Sequence, residues 1–189
     1  HNDIINKSHK RCIDYKIEKE RVFPIRTFHG KEFYGIITEN KQLIKTARSF
    51  MEILYDFLRD SGFSLYLTDG DGIVLTMIGD MDILQDLDKM GIVIGADMSE
   101  KSTGTNAIGT ALAEDCPVQI SGKEHFISVY HIWTCSASTI HNEQGHIIGC
   151  LNLTGRYQLA HPHTLGLVVA AVKSIENQLI MDKIQGQLY

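Results

Sequence analysis

Proline is scarce in this sequence, three in 189 residues. No Pro- or Gly-rich stretch, repeat or low-complexity tract divides the chain, so one well-covered domain is the default reading. Positive charge is also short: 18 Lys and Arg stand against 23 Asp and Glu, a net of -5. Recognition of a phosphate backbone needs a clustered basic footprint, so direct nucleic-acid binding is not expected. Long apolar runs are missing too. Stretches such as Gly166 to Val172 fall far below the roughly 20 residues that cross a bilayer, and no charged-then-apolar leader opens the chain. A soluble, cytoplasmic protein with no membrane association is the expectation. The chain starts at His1 without an initiating Met and stops inside a helical pattern, as an excised piece of a longer protein would.

Other absences concern chemistry. The four cysteines, Cys12, Cys116, Cys135 and Cys150, are dispersed with no Cys-x2-Cys pair, which points to reduced thiols and no disulfide framework. Nine histidines invite a metal reading, but metal ligands come in close pairs that reach one ion. His125 and His131 are six apart, and His161 and His163 flank a proline. No metal site is expected, and no cofactor. Gly104 to Thr110 has the glycine spacing of a phosphate loop, yet Thr110 stands where that motif needs Lys, so the segment reads as a tight turn entering a helix.

What is present is a succession of amphipathic patterns. Residues 1 to 21 carry both charge signs densely, which suggests a solvated arm or exposed helix; residues 1–40 are assigned as an accessory segment and residues 41–189 as the main domain. From Asn40, the residues Leu43, Ala47, Phe50, Leu54 and Phe57 recur at steps of four and three, predicting a helix that Gly62 stops. Phe63 to Thr68 and Ile73 to Ile78 flank Asp69-Gly70-Asp71-Gly72, a strong hairpin signal. A short helix over 80–90, a strand over Ile92 to Ala96, and a helix starting near Thr103 to Thr105 and running to Glu114 follow, the last with hydroxyls to cap it and Pro117 to end it. A strand at Val118 to Ser121, a short helix near Glu124 to His131, and a second hairpin (Trp133 to Ile140, His146 to Thr154) complete the sheet. After Pro162, Leu165, Val168, Val172, Ile175 and Leu179 have heptad-like spacing. That pattern fits an ordinary helix on a sheet as well as a dimer seam. Helix, hairpin, helices, hairpin, helix amounts to an α+β domain on an antiparallel sheet.

If His141 pairs with His146, then Trp133, Cys135 and Ala137 share one sheet face with Cys150, Asn152 and Thr154. Such a mixed face under helices and loops suits a small-molecule pocket, although a plain core remains equally open because a one-residue slip reverses the faces. The candidate ligand-binding residues are Trp133, Cys135 and Asn152 from the sheet, with Asn106, His125 and Phe126 from the flanking segments. Trp133 and Phe126 supply apolar area, while Asn106, Asn152 and His125 supply hydrogen bonds. Buried, apolar thiols are expected at Cys135 and Cys150 rather than nucleophiles.

Several stretches taken together resemble a known group: Gly95-Ala-Asp-Met-Ser-Glu100, Gly104-Thr-Asn-Ala-Ile-Gly-Thr-Ala-Leu-Ala-Glu114, Pro117-Val118, Gly122-Lys-Glu-His-Phe126 and Trp133-Thr-Cys-Ser-Ala137. The likeness runs on through Ile140-His141, Gly145, Gly149, Leu151 to Gly155 and His161-Pro-His-Thr-Leu165, and upstream touches Ser8-His9, Arg11-Cys12 and Asn40-Lys41. The chain resembles the N-terminal GAF sensor domains of sigma-54-dependent transcriptional activators of the acetoin-catabolism and glycerol-metabolism type. It departs at Met98, where the group commonly has Trp, and at Thr139, where Pro is common. The resemblance implies a GAF fold of about six antiparallel strands, with N- and C-terminal helices on one face and a ligand pocket on the other. It implies a small-molecule effector, and ATPase and helix-turn-helix domains elsewhere in the full-length protein; the stripes from Leu43 to Phe57 and from Leu165 to Leu179 suggest, separately, a homodimer through the terminal helices. Two alternatives from other classes are a domain read by a metabolic partner protein and, less favoured, a cysteine-based methionine sulfoxide reductase.

Overall fold

The computed structural model describes residues 1–187. Three helices come first: α1 (Asn2–Asp14), α2 (Gly30–Glu39) and α3 (Lys41–Leu58). The strands β1 (Phe63–Asp69) and β2 (Val74–Gly79) form a hairpin, followed by α4 (Met81–Lys89), α5 (Glu100–Thr103) and α6 (Ala107–Glu114). Then come β3 (Val118–Ser121), two 3-10 turns (Gly122–Glu124 and Ser128–Ile132), β4 (Trp133–His141), β5 (Ile147–Arg156), a 3-10 turn (Tyr157–Leu159) and α7 (Pro162–Gly186). The sheet is antiparallel in the order β2-β1-β5-β4-β3.

Period-two alternation divides the core. Leu65, Leu67, Leu75, Ile140, Leu151 and Leu153 point to one face, where they meet Leu43, Ala47 and Met51 of α3 and Val168, Val172 and Ile175 of α7. Tyr66, Val118, Ile120, Cys135, Ala137 and Cys150 point to the other, beneath α1, α4, α6 and the intervening loops. The α3 helix is tied to the sheet end by Asp80, whose carboxylate accepts the Tyr55 hydroxyl (2.9 Å) and the backbone N–H groups of Asp60 (2.9 Å) and Gly62 (2.7 Å).

Several sequence-based expectations change. The sheet has five strands rather than about six. Ile92 to Ala96 makes only one isolated bridge, Ala96 to Thr27, with a second at the next residue, Asp97 to Ile73, because Gly91 before it and Gly95 within it adopt the left-handed region (φ 72° and 91°) and turn the backbone out of a ladder. The helix placed from Thr103 begins at Ala107, capped by Asn106 rather than by a hydroxyl. The segment Glu124 to His131 is two separate 3-10 turns. In the β4–β5 hairpin, Cys135 faces Thr154 and Ala137 faces Asn152. That is two residues away from the expected register, and a shift of two keeps every side chain on its expected face. The charged N-terminal segment is not a solvated arm: α1 buries Ile5, Ser8 and Cys12. Along α3 the inward stripe drifts to Leu43, Ala47, Met51 and Tyr55, leaving Phe57 86% exposed. Finally, α7 is long and apolar enough to cross a membrane by length and composition, although no single run in it looked so; here its inner side lies on the sheet.

Candidate functional site

A closed cavity lies between the second sheet face and its cover, lined by Tyr66, Ile92, Met98, Asn106, Ala107, His125, Tyr130, Trp133, Cys135 and Asn152. Its free space is about 10 Å³, the threshold for holding one water. Five of the six sequence-chosen residues meet here: Asn106, His125, Trp133, Cys135 and Asn152. Phe126 does not. It packs edge-on to His9, with ring centroids 5.4 Å apart, and lies under Lys19. Its neighbour His125 takes the inward direction instead, since the backbone at His125 is extended (φ -62°, ψ 137°) and successive side chains there point to opposite sides.

The sheet sets the floor. Trp133, 1% exposed, gives its indole N–H to Met90 Sδ (3.2 Å) and lies under the Arg156 guanidinium. Thr154 Oγ1 gathers Asn152 Nδ2 (2.8 Å) and the Tyr66 hydroxyl (3.0 Å) and donates to Cys135 Sγ (3.2 Å). Burial pushes the Cys135 thiol up to about 12 and raises Cys150 and Cys116 as well. These sulfurs are protonated near neutrality and poorly suited to nucleophilic attack.

The cover is held differently. Asn106 is a structural hub: Oδ1 accepts Gly109 N–H (3.1 Å), and Nδ2 faces the carbonyls of Met98 (3.0 Å) and Gly104 (2.9 Å) and the hydroxyl of Thr103 (2.9 Å). Both amide hydrogens are engaged, so it walls the cavity without a donor to spare. His125 donates from Nδ1 to Gly122 O (3.0 Å). Burial, helped by nearby His131, outweighs that bond and lowers its pKa from 6.5 to about 4. The ring is neutral at physiological pH, which removes the last candidate charge among the lining residues.

Two polar atoms in this neutral enclosure lack partners: the Tyr130 hydroxyl and Asn152 Oδ1, on residues 2% and 1% exposed. Each such atom costs about 1–3 kcal/mol unless something bonds it. Tyr66 and Tyr130 were missed from the sequence. Tyr66 was findable, because alternation along β1 puts it on the Cys135 side, but Tyr130 sits in a 3-10 turn with no periodic signal. Among the described residues no three His, Cys, Asp or Glu side chains are grouped to hold a metal.

The family described as MimR, N-terminal domain, matches residues 36–178. A signal-transduction and transcriptional-control protein of Clostridium beijerinckii is 63% identical over 188 residues, covering 100% of this chain and 30% of that protein. The acetoin dehydrogenase operon transcriptional activator AcoR of Bacillus subtilis is 37% identical over 136 residues, 72% of this chain and 22% of the activator. The chain thus spans under a third of these relatives. Among solved structures, that of the E. coli DhaR(N)-DhaL complex superimposes with a TM-score of 0.92 at 22% identity, over 98% of this chain and 63% of that one. The fold is therefore the GAF-like α+β fold that the sequence motifs implied.

Proposed function

Because the chain belongs to the family of MimR N-terminal domains, a family whose relatives are named as transcriptional regulators, we propose that it is the effector-receiving domain of a sigma-54-dependent activator. A small molecule occupies the cavity, and its binding biases ATPase and helix-turn-helix domains elsewhere in the full-length protein. The carrying observation is the pair of unpartnered atoms, the Tyr130 hydroxyl and Asn152 Oδ1, inside an uncharged enclosure. A ligand that bonds both gains what the empty cavity forgoes, and this differential binding is what shifts a conformational equilibrium. In this reading the domain is a receiver in the cytoplasm and not an enzyme, and it makes no direct contact with DNA or membrane. It works as a homodimer joined through α3 and α7, whose outer sides leave Ile53, Phe57, Leu167 and Met181 exposed.

Trp133 is the single tryptophan and lines the cavity, so its emission reports occupancy. Titration with small hydroxy-ketones, polyols, short acids and aromatics is expected to give a saturable change with one class, retained in Cys135→Ser and lost in Asn152→Leu. A response that survives Asn152→Leu would move the site elsewhere.

A protein partner is the second reading, favoured by the closed volume of about 10 Å³, which admits no metabolite as it stands. The related DhaR(N) was crystallised with DhaL, so a protein-reading mode is reasonable within this fold. Native mass spectrometry of the purified domain, with and without lysate proteins, separates a retained small molecule from a bound partner.

A further inference from the structure

The N-terminal segment lies mostly ahead of the stretch matched by the family, residues 36–178, yet it holds much of the cavity wall that lies outside the sheet. From α1, Ser8 Oγ donates to Glu100 Oε1 (2.5 Å) and meets Thr105 Oγ1 (2.6 Å). Arg11 grips Glu100 through Nε (2.6 Å) and Nη2 (3.0 Å) and Glu114 through Nη1 (2.6 Å). His9 Nε2 bonds Glu124 O (2.8 Å). Farther on, Ser128 N donates to Lys19 O (2.8 Å), Arg21 Nη1 to Ser102 O (3.0 Å), Phe28 N to Gly95 O (2.8 Å) and Asp97 N to Arg26 O (3.0 Å). The anchored backbone carries Met98, Asn106, His125 and Tyr130, all cavity-lining. The remaining walls belong mainly to the strands, where ladder hydrogen bonds fix them.

We propose that residues 1–29 are a releasable strap: in place they seal the cavity, and their detachment lets the walls over 95–106 and 122–130 move apart to admit a ligand. The argument is one of contrast between the two sheet faces. On the α3–α7 face the covering helices bury an apolar stripe, and peeling them off exposes it all to water. The strap buries few apolar side chains, Ile5, Cys12 and Ile17 with Ile4 partly covered, and is otherwise attached by the polar bonds above, the densest of them around the Glu100 carboxylate, whose side chain is 4% exposed. A buried ion pair gains little net, because its attraction is largely offset by lost hydration that detachment restores. Release of the strap is therefore less costly than release of an apolar helix of equal length, which puts it at the low end of local opening free energies. Some such motion is required, since a space of about 10 Å³ takes nothing larger than a water.

The proposal rests on the cavity reading for its purpose, but its test needs no ligand, so a strap that never moves and a cavity that binds nothing give separate results. The cysteines report by position. Cys135 lines the cavity, Cys12 sits on the inner side of the strap itself, and Cys150 is sealed in the sheet at 0% exposure. Alkylation by iodoacetamide, resolved by peptide mass spectrometry, is followed in the native protein and in Arg11→Ala. Loss of the clamp is expected to raise labelling of Cys12 and Cys135 together by about tenfold or more, with Cys150 unchanged. A complementary lock uses Thr105→Cys: Thr105 Oγ1 is 3.3 Å from Cys12 Sγ, close enough for an added oxidant to join the two sulfurs with loss of both thiol hydrogens. Locked, Cys135 labelling falls below that of the native protein, and reduction before labelling restores it. Equal acceleration at Cys135 and Cys150 would mean global unfolding, acceleration at Cys12 alone would mean fraying without opening, and an inert Arg11→Ala would mean no clamp; each overturns the proposal.

Discussion

Replacing Asn106 by Ala separates a structural from a ligand-binding role at a cavity wall. The two hydrogens of its Nδ2 are shared among Met98 O, Gly104 O and Thr103 Oγ1, all within 2.9–3.0 Å, and its Oδ1 caps α6 at Gly109 N–H. Loss of an N-cap costs about 1 kcal/mol. The Met98 and Gly104 carbonyls then lose a donor in a site 4% exposed, adding roughly 1–3 kcal/mol in total after partial relaxation. The expected destabilisation is about 2–4 kcal/mol, a fall in melting temperature of roughly 4–16 °C for a domain of this size. Asn106→Asp keeps the cap acceptor but sets a carboxylate against two carbonyl oxygens, so it is expected to fall near the alanine variant instead of rescuing it. Urea unfolding of all three proteins measures this. A loss below about 1 kcal/mol in Asn106→Ala, or full rescue by Asp, would refute the hub assignment and return Asn106 to the list of ligand contacts.

The remaining predictions concern pH, packing and assembly. His125 has a folded pKa of about 4 against an ordinary 6.5, so between these values the unfolded chain binds the extra proton and stability falls as pH falls. The loss reaches up to about 3 kcal/mol below pH 4, and pH-dependent urea unfolding should show this component vanish in His125→Gln. Gly109→Ala places a Cβ 2.7 Å from Glu100 N and 2.9 Å from Met98 O, a backbone clash that thermal denaturation should register as about 1–3 kcal/mol of destabilisation. Val172, 2% exposed, is on the inner side of α7 against the sheet, so Val172→Asp should cost more than about 3 kcal/mol. By contrast, Phe57→Glu on the outer side of α3 should leave unfolding nearly unchanged and dissociate the proposed dimer in light scattering; a monomeric native protein would refute the dimer, and a dimer unaltered by the substitution would move its interface elsewhere.

The long patterned elements were legible in the sequence because their signals are physical requirements of the fold. Alternation placed Trp133, Cys135 and Asn152 on one face even with the hairpin register displaced by two, since only an odd slip exchanges faces. The cavity floor was therefore readable residue by residue. The cover was not. Irregular backbone from Gly91 to Asn106 and from Gly122 to Tyr130 has no period, so nothing local told that His125 turns inward and Phe126 away, or that Tyr130 closes the cavity. Charge density in α1 suggested solvent because a sequence shows Arg11 without showing Glu100 and Glu114 beside it. Asn106 was chosen for its amide, and the amide proved important for holding backbone together.

The strand order has a further consequence, for how the chain comes to be folded. Strand β1 sits between β2 and β5, with Ser64 opposite Thr154 and Leu67 opposite Leu151. During synthesis the β1–β2 hairpin is made early but keeps one long edge unpaired until β5 has emerged, and the loop between them must then close against its entropy. Throughout that interval Leu65 and Leu67 have α3 but lack the α7 part of their cover, and the free edge is a template for pairing with other chains. A chain ending before Arg156 should accordingly aggregate instead of yielding a smaller folded unit, and slowing translation ahead of β5 should lower the soluble yield of the native protein.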